Sequence, residues 1–328
     1  MPKPTIAIVV DSFLPRWDGL ARAVIEFIPR MTHAVNFKLI APRYAGERPE
    51  FEAVAYHLFP MLPWIRIEGA GLPLVSKRSM QRALAHVDLV WTHSIGPLGN
   101  TAARIAHSES IPIVSMIHSI EWEIYAQNLP FGRAYFRNFW LKTCRQRYSR
   151  VQQIVTPSQA TKETLQNHHF TPPITVTPLG IDTDRFKPVS NAERTTRRAA
   201  LKIPQDAFVF GYLGRFGAEK NLQVLIDAYT RLNHPKTHLL MVGGNRSVLR
   251  HDKKDRRITW IPSTMTPEEL YPAMDAYVLP SISECAPLAI REAMASGVIP
   301  LSTPVGNVPT YLSPDIGYLF APRSVDDL

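Results

Sequence analysis

The sequence predicts an α/β protein made of two facing, Rossmann-like, doubly wound domains with a ligand cleft between them. Three observations lead there. The chain has 328 residues with 45% apolar content, more than one hydrophobic core usually supports. Short β-branched or apolar runs alternate many times with longer helical stretches, the pattern of a parallel sheet covered by helices. That alternation stops once, in a polar and charge-rich segment, and then restarts.

In the first half, TIAIVV (5–10) reads as a strand and LARAVIEFIPRM (20–31) as the helix after it. DLVWTH (88–93) is a second strand, followed by a small-residue helix beginning near Pro97. IPIVSMIH (111–118), QQIVTPS (152–158) and ITVTPLG (174–180) continue the series, each with a polar connection. The interruption is DTDRFKPVSNAERTTRRAALKIPQD (182–206). Strands and helices resume with FVFGYLGR (208–215), EKNLQVLIDAYTRL (219–232), HLLMVGG (238–244), ITWIP (258–262), AYVLPS (276–281) and VIPLSTP (298–304). The expected organisation is therefore an N-terminal domain over 1–181, a linker over 182–206 and a C-terminal domain over 207–328. In such sheets ligands bind beyond the carboxyl ends of the strands, so functional residues belong on post-strand loops.

Two segments stand apart from the alternation. Phe59 to Val75, FPMLPWIRIEGAGLPLV, is apolar, aromatic and rich in Pro and Gly without strand or helix periodicity. It reads as a loop, either packed on the surface or meeting acceptor or membrane. Phe131 to Arg150, FGRAYFRNFWLKTCRQRYSR, mixes basic and aromatic residues. It suits a helix lying on anionic lipid, or one whose cations snorkel around a buried aromatic face.

Composition narrows the function classes. No run reaches the ~18 uninterrupted apolar residues of a membrane span, and MPKPTIAIVVDSF lacks the layout of a secretory signal, which places the chain in the cytoplasm or on the inner face of a membrane. Cys144 and Cys285 are the only cysteines and have no partner spacing, so neither a disulfide framework nor a zinc site is expected. A net charge of +9 favours a polyanionic partner: nucleic acid, acidic lipid or a phosphorylated substrate. Nucleic acid is set aside because no recognition motif accompanies the charge. No G-x-G-x-x-G follows a strand, which argues against a dinucleotide cofactor.

The chemistry concentrates in the second half. FVFGYLG delivers Arg215 at a strand end, and GRFGAEKN brings Lys220 to the start of the next helix. A planar guanidinium fork, a mobile ammonium and helix amides together suit a diphosphate. In PSISECAPLAIREAMASG, Glu284 ends a post-strand loop, Pro287 takes the first helical position, and Glu292 follows Glu284 after seven residues. Leu288 and Glu292 share a helix face, so free amides near Leu288 and a carboxylate able to accept two hydroxyls can address one ligand. Taken singly, Arg215 and Lys220 are equally explained as surface cations beside turn glycines, and a lone Glu is more often a solvated surface charge.

GRFGAEKN followed by SECAPLAIREAMASG resembles the family 4 retaining glycosyltransferases, also called group 1 glycosyl transferases, of GT-B fold. TPLGIDTDRFKP is similar to the family's inter-domain signature, HLLMVGGNR to its glycine-bearing strand end, DSFLPRWDGLAR to its opening loop and SMIHSIEW to its histidine strand. The resemblance spans essentially the whole chain. It implies that Arg215 and Lys220 hold a donor diphosphate, Glu292 the nucleotide ribose and Glu284 the transferred sugar. It also implies that Gly19 admits phosphate or acceptor to the backbone and that His118 touches the sugar at the reacting centre. The partners implied are a UDP- or GDP-sugar and a glycan or lipid acceptor, with an anionic membrane surface as a further partner and no cofactor or metal.

The pattern is not complete. CAPL (285–288) replaces a glycine-phenylalanine-glycine loop, Gly306 is followed by Asn307 where the family pairs glycines, and Thr310 stands where an acid is expected. Relatives continue beyond APRSVDDL, so the second domain is expected to be truncated. Asp182 and Asp184 lie in the inter-domain signature and read as structural rather than metal-binding. A retaining hexosyl transfer through a front-face, metal-independent mechanism is the expected activity. A nucleotide-sugar epimerase or hydrolase, and an inactive glycosyltransferase-like binding protein, are the alternatives.

Overall fold

The computed structural model describes residues 2–14, 19–46, 50–67, 70–127, 129, 131–251, 255–262 and 264–328. The chain divides into two compact units, Met1–Leu179 and Gly180–Leu328, each a parallel sheet with helices.

The first unit runs β1 (Thr5–Val9), α1 (Gly19–Met31), β2 (Asn36–Pro42), β3 (Val54–Phe59), β4 (Met61–Ile67), β5 (Ala70–Pro73), α2 (Lys77–Leu84), β6 (Leu89–Thr92), α3 (Pro97–Ser108), β7 (Ile113–Met116), α4 (Glu121–Gln127), α5 (Arg133–Tyr148), β8 (Gln153–Thr156), α6 (Gln159–Asn167) and β9 (Ile174–Val176). Its seven-stranded sheet has the order β3-β2-β1-β6-β7-β8-β9, with every pairing parallel. Ile6 to Val9 of β1 are buried, and α1 lays Ala21, Val24 and Ile28 against the same core, the three- and four-residue spacing of one helix face. The chain order reverses between β1 and β6. That switch point opens a crevice at the strand ends and is where Asp11 and His93 emerge.

The second unit adds α7 (Asn191–Ala200), β10 (Phe208–Leu213), α8 (Leu222–Leu232), β11 (Thr237–Val242), β12 (Ile258–Ile261), β13 (Ala276–Leu279), α9 (Leu288–Ala295), β14 (Ile299–Ser302) and β15 (Tyr318–Leu319). Its sheet order is β12-β11-β10-β13-β14-β15, so the reversal falls between β10 and β13, the strands that lead to Arg215 and Glu284. All six residues of β11 are buried, as expected for a central parallel strand covered on both faces. None of the described helices is long and apolar enough to cross a membrane.

Within 182–206, read from sequence as a linker, α7 is clamped onto the second unit. Ser190 caps it by accepting from the Glu193 amide. Arg198, 3% exposed, donates to Asp275 at 2.6 Å and to the Ala273, Gln205 and Ala207 carbonyls at 3.0 Å. Arg194 reaches the other oxygen of Asp275. Asp182 accepts from the amides of Asp184 and Arg185, a local turn, which is the structural role its position suggested.

Three readings are corrected. Phe59–Val75 is not a loop: Phe59 ends β3, and β4 and β5 form an antiparallel pair outside both large sheets, with residues 68–69 lying outside the description. A two-stranded ribbon is all edge, so it tolerates prolines that a central strand could not. Pro287 is not the first helical residue of α9 but its cap, at ψ 118°, and Leu288 opens the helix. Lys220 closes a short 3₁₀ turn, Ala218–Lys220, and Asn221 in the left-handed region separates it from α8.

Candidate active site

The two constellations of the second half meet at one side-chain contact. Lys220 Nζ donates to Glu284 Oε1 at 2.5 Å, and Ser281 Oγ donates to the same oxygen at 2.8 Å. The loops also join through backbone, the Ile282 amide donating to the Glu219 carbonyl at 2.7 Å. Arg215 pairs with Glu219 rather than Glu284: Nη2 to Oε1 is 2.7 Å, and Glu219 is 3% exposed. The carboxylate of Glu219 folds back onto Gly217, where a Cβ would lie 2.2 Å from its Oε2. The Tyr212 hydroxyl donates to the Arg215 carbonyl. Burial first, then the nearby Glu284 and Glu219, holds its pKa well above 10, so it remains a donor.

Neither candidate glutamate is a solvated surface charge. The Glu284 side chain is 11% exposed and Glu292 is 1% exposed. Glu292 Oε2 accepts from the Tyr271 hydroxyl at 2.8 Å, so one oxygen assigned by resemblance to ribose already has a protein partner. Leu288, four residues earlier at the helix start, offers one of the amides that have no intrahelical acceptor. Gly306 and Asn307 brace the Glu284 loop. Asn307 donates its amide to the Cys285 carbonyl at 3.1 Å, and Gly306 (φ 57°) leaves no room for a Cβ, which would meet that oxygen at 2.5 Å. Gly243, in HLLMVGGNR, sits at φ 115° with its missing Cβ 2.2 Å from the Gly214 carbonyl, so β10 and β11 end in close backbone contact.

The first unit holds a second polar cluster at its own switch point. The Asp11 carboxylate accepts from Ser94 Oγ at 2.7 Å and from the first α3 amides, Leu98 at 2.7 Å and Gly99 at 3.2 Å. His118, just beyond β7, meets His93: Nε2 to Nδ1 is 2.8 Å, with the rings 20° from coplanar. Burial lowers the pKa of His118 to about 4, and that of His93 well below 6.5 with His118 as a further cause. Both are neutral near pH 7, and one ring donates to the other. Glu121 is pushed up to about 7, mainly by burial and then by Asp11, against Arg147 and a hydrogen bond from the Ile95 backbone. Gly19 opens α1, and a Cβ there would meet nothing within 4 Å among the described residues. Residues 15–18 of the opening loop lie outside the description. Among the described residues, no group of three or more His, Cys, Asp or Glu could hold a metal ion.

The sequence pattern of Glycosyltransferase Family 4 matches residues 17–185, more than half the chain, and that of Glycosyl transferases group 1 matches 193–328. The chain belongs to glycosyltransferase family 4. The glycosyltransferase is 26% identical over 99% of its length to TuaC of Bacillus subtilis, described as a teichuronic acid biosynthesis glycosyltransferase, covering 84% of it. It is 27% identical over 89% of its length to a GDP-mannose-dependent alpha-mannosyltransferase of Corynebacterium glutamicum, covering 70% of that protein. Among solved structures, sucrose-phosphate synthase of Thermosynechococcus elongatus superposes with TM-score 0.76 at 17% identity, over 99% of this chain and 88% of the other. Anabaena HepE in complex with UDP and glucose gives 0.75 at 17% identity, over 98% and 87%. These likenesses establish the GT-B architecture.

Sequence reasoning missed Glu219, Tyr271 and His93 as parts of the glycosyltransferase's clusters. Tyr271 lies 21 residues from Glu292 in a segment with no motif. His93 did carry a signal: THSI after β6 and IHSI after β7 repeat His-Ser-Ile beyond adjacent strands.

Proposed function

We propose that this glycosyltransferase is a retaining, metal-independent enzyme working at the inner face of a membrane. It moves a hexosyl group from a nucleoside diphosphate sugar, UDP- or GDP-linked, to a hydroxyl of a glycolipid or cell-envelope glycan precursor. The observation that carries the reading is the contact of Lys220 with Glu284 across 64 residues of sequence. It sets a cation suited to phosphate beside a carboxylate suited to sugar hydroxyls, at the switch point of a parallel sheet. The names of the relatives support a nucleotide-sugar donor and an envelope product. Mannosyltransferases dependent on GDP-mannose, TuaC, and a HepE structure with UDP-glucose are among them.

In the proposed reaction the bond from the anomeric carbon to the diphosphate oxygen breaks as the acceptor oxygen bonds to that carbon on the same face. The departing diphosphate takes the acceptor's proton. The negative charge that grows on the leaving oxygen is stabilised by Arg215 and Lys220, a preorganised effect of a few kcal/mol per contact. Glu292 and the Leu288 amide hold the nucleotide, Glu284 orients the sugar, and His118 contacts it as a neutral hydrogen-bonding ring. Gly19 leaves its backbone accessible to phosphate or acceptor.

The test is a thermal-shift screen across UDP-, GDP- and ADP-sugars, since a ligand of the native state raises the midpoint. Transfer is then measured with and without EDTA, and the anomeric configuration of the product is read by NMR. A retained configuration and EDTA-resistant turnover are expected. An inverted product, EDTA sensitivity, or donor breakdown without transfer overturns the reading.

A further inference from the structure

The basic, aromatic segment around α5 has no part in either cluster, except that Arg147 faces inward. At 100° per residue, one side of α5 points inward: Cys144 and Tyr148 are buried, Arg137 pairs with Glu123 at 2.5 Å, and Arg147 donates to the Ile95 carbonyl at 2.7 Å. The opposite side carries Tyr135, Phe139 and Lys142, with exposed Arg145 on its flank and Phe131 just ahead of the helix. Phe131 is 88% exposed, Tyr135 81% and Phe139 55%. A buried aromatic face with snorkelling cations requires the reverse, so that expectation fails for these three rings.

Three rings turned to water, two on one face of α5 and one just ahead of it, need a cover, and the charge of the segment selects it. From Ile124 to Lys162 there is no Asp or Glu, against seven Lys and Arg. Lys142 follows Phe139 on the exposed face and Arg145 flanks it, and among the described residues neither has an acidic partner. A protein partner would require only a complementary patch. Rings at one end and unpaired cations at the other instead fit an interface that is apolar below and anionic above: the headgroup layer of a bilayer containing acidic lipid.

We propose that the outward face of α5 is the membrane-docking surface of this chain. Phe131, Tyr135 and Phe139 enter the headgroup region, and Lys142 and Arg145 bind lipid phosphates. The proposal deepens the reading of a membrane-face glycosyltransferase and rests on it for its purpose. Its test uses neither donor nor acceptor, so a failure of either idea is recognised without the other.

The experiment is co-sedimentation of the full chain with vesicles of phosphatidylcholine alone or with one-third phosphatidylglycerol, in low and high salt. Wild type is expected to partition at least about tenfold more strongly onto the anionic vesicles and to be released by salt. Lys142→Gln with Arg145→Gln should lose most of that preference, and Tyr135→Ser with Phe139→Ser should lose binding to both compositions. All four side chains are exposed, and thermal midpoints equal to wild type will show that the variants fold. A Phe139→Trp variant should shift its emission to the blue on anionic vesicles and be quenched by brominated acyl chains. Equal partition onto both compositions, variants that sediment like wild type, or an introduced indole that lipid does not quench each overturns the proposal. Self-association without vesicles that the serine variant abolishes would overturn it too, by assigning the face to a second copy.

Discussion

The Tyr271 hydroxyl donates a 2.8 Å hydrogen bond to Glu292 Oε2, and both side chains are buried. Tyr271 is itself packed edge-on against Phe186 and Tyr277, so the carboxylate is aimed by the core. A hydrogen bond to a charged group contributes about 1.5–3 kcal/mol. Tyr271→Phe should therefore raise the donor KM about tenfold with kcat nearly unchanged, and Glu292→Ala should weaken donor binding further. Calorimetric donor titration checks both. Unaltered affinity in the phenylalanine variant would reduce Glu292 to a packing role.

Lys220, Glu284 and Arg215 should separate kinetically. Lys220→Ala is expected to lower kcat about 10²–10³-fold with a smaller change in donor KM, because in the proposed mechanism the charge it meets grows as the phosphate bond breaks. Glu284→Ala should also act mainly on kcat, whereas Arg215→Ala should damage kcat and KM together, since in the proposed mechanism its fork holds the ground-state diphosphate as well. Steady-state kinetics with varied donor, with and without EDTA, distinguish these patterns from uniform losses.

The His93–His118 pair gives a test with two readouts. His93→Phe keeps a ring beside Phe27 and Trp91 but removes the nitrogen that holds His118, and should lower kcat about tenfold with donor KM unchanged. Burial lowers the pKa of His118 to about 4 from 6.5. A depressed histidine favours the native state fully above pH 6.5, and that contribution disappears as pH falls towards 4. His118→Asn should therefore flatten the decline of Tm between those values, measured by melts across the range.

Glu121 carries the opposite sign. Its pKa, raised by burial to about 7 from 4.5, favours the native state below pH 4.5, and the contribution is lost as pH rises through 7. Glu121→Gln, neutral at every pH, should gain on wild type by a few degrees of Tm between pH 5 and pH 8. A constant difference across that range would place the shift elsewhere.

The strands that build each sheet core were legible because fully buried parallel strands are written as apolar runs, as in TIAIVV and HLLMVGG. The ribbon β4–β5 was not, since a two-stranded element with prolines at 63 and 73 has neither the alternation nor the β-branched run of a sheet strand. Arg215, Lys220, Glu284 and Glu292 could be singled out because each stands at a fixed distance from a strand end. The Lys220–Glu284 contact could not be read, because it depends on β10 lying beside β13, an adjacency that leaves no mark in local sequence. Glu219 was legible in principle, four residues from Arg215, whereas Tyr271 meets Glu292 only through tertiary packing. Likewise the exposed rings of α5 and its buried Cys144 differ only in helix rotation, which packing sets.

Asp11 already occupies the amides of Leu98 and Gly99, so the start of α3 arrives with a resident carboxyl group. The fit has no slack: a Cβ on Gly96 would fall 2.6 Å from the Asp11 carboxyl carbon, and one on Gly99 would fall 1.9 Å from the Ser94 carbonyl oxygen. These positions are therefore coupled in sequence space. A side chain at either glycine requires the β6–α3 turn to move and the acid at the end of β1 to withdraw with it, so tolerated variation here must arrive as sets of changes rather than one residue at a time.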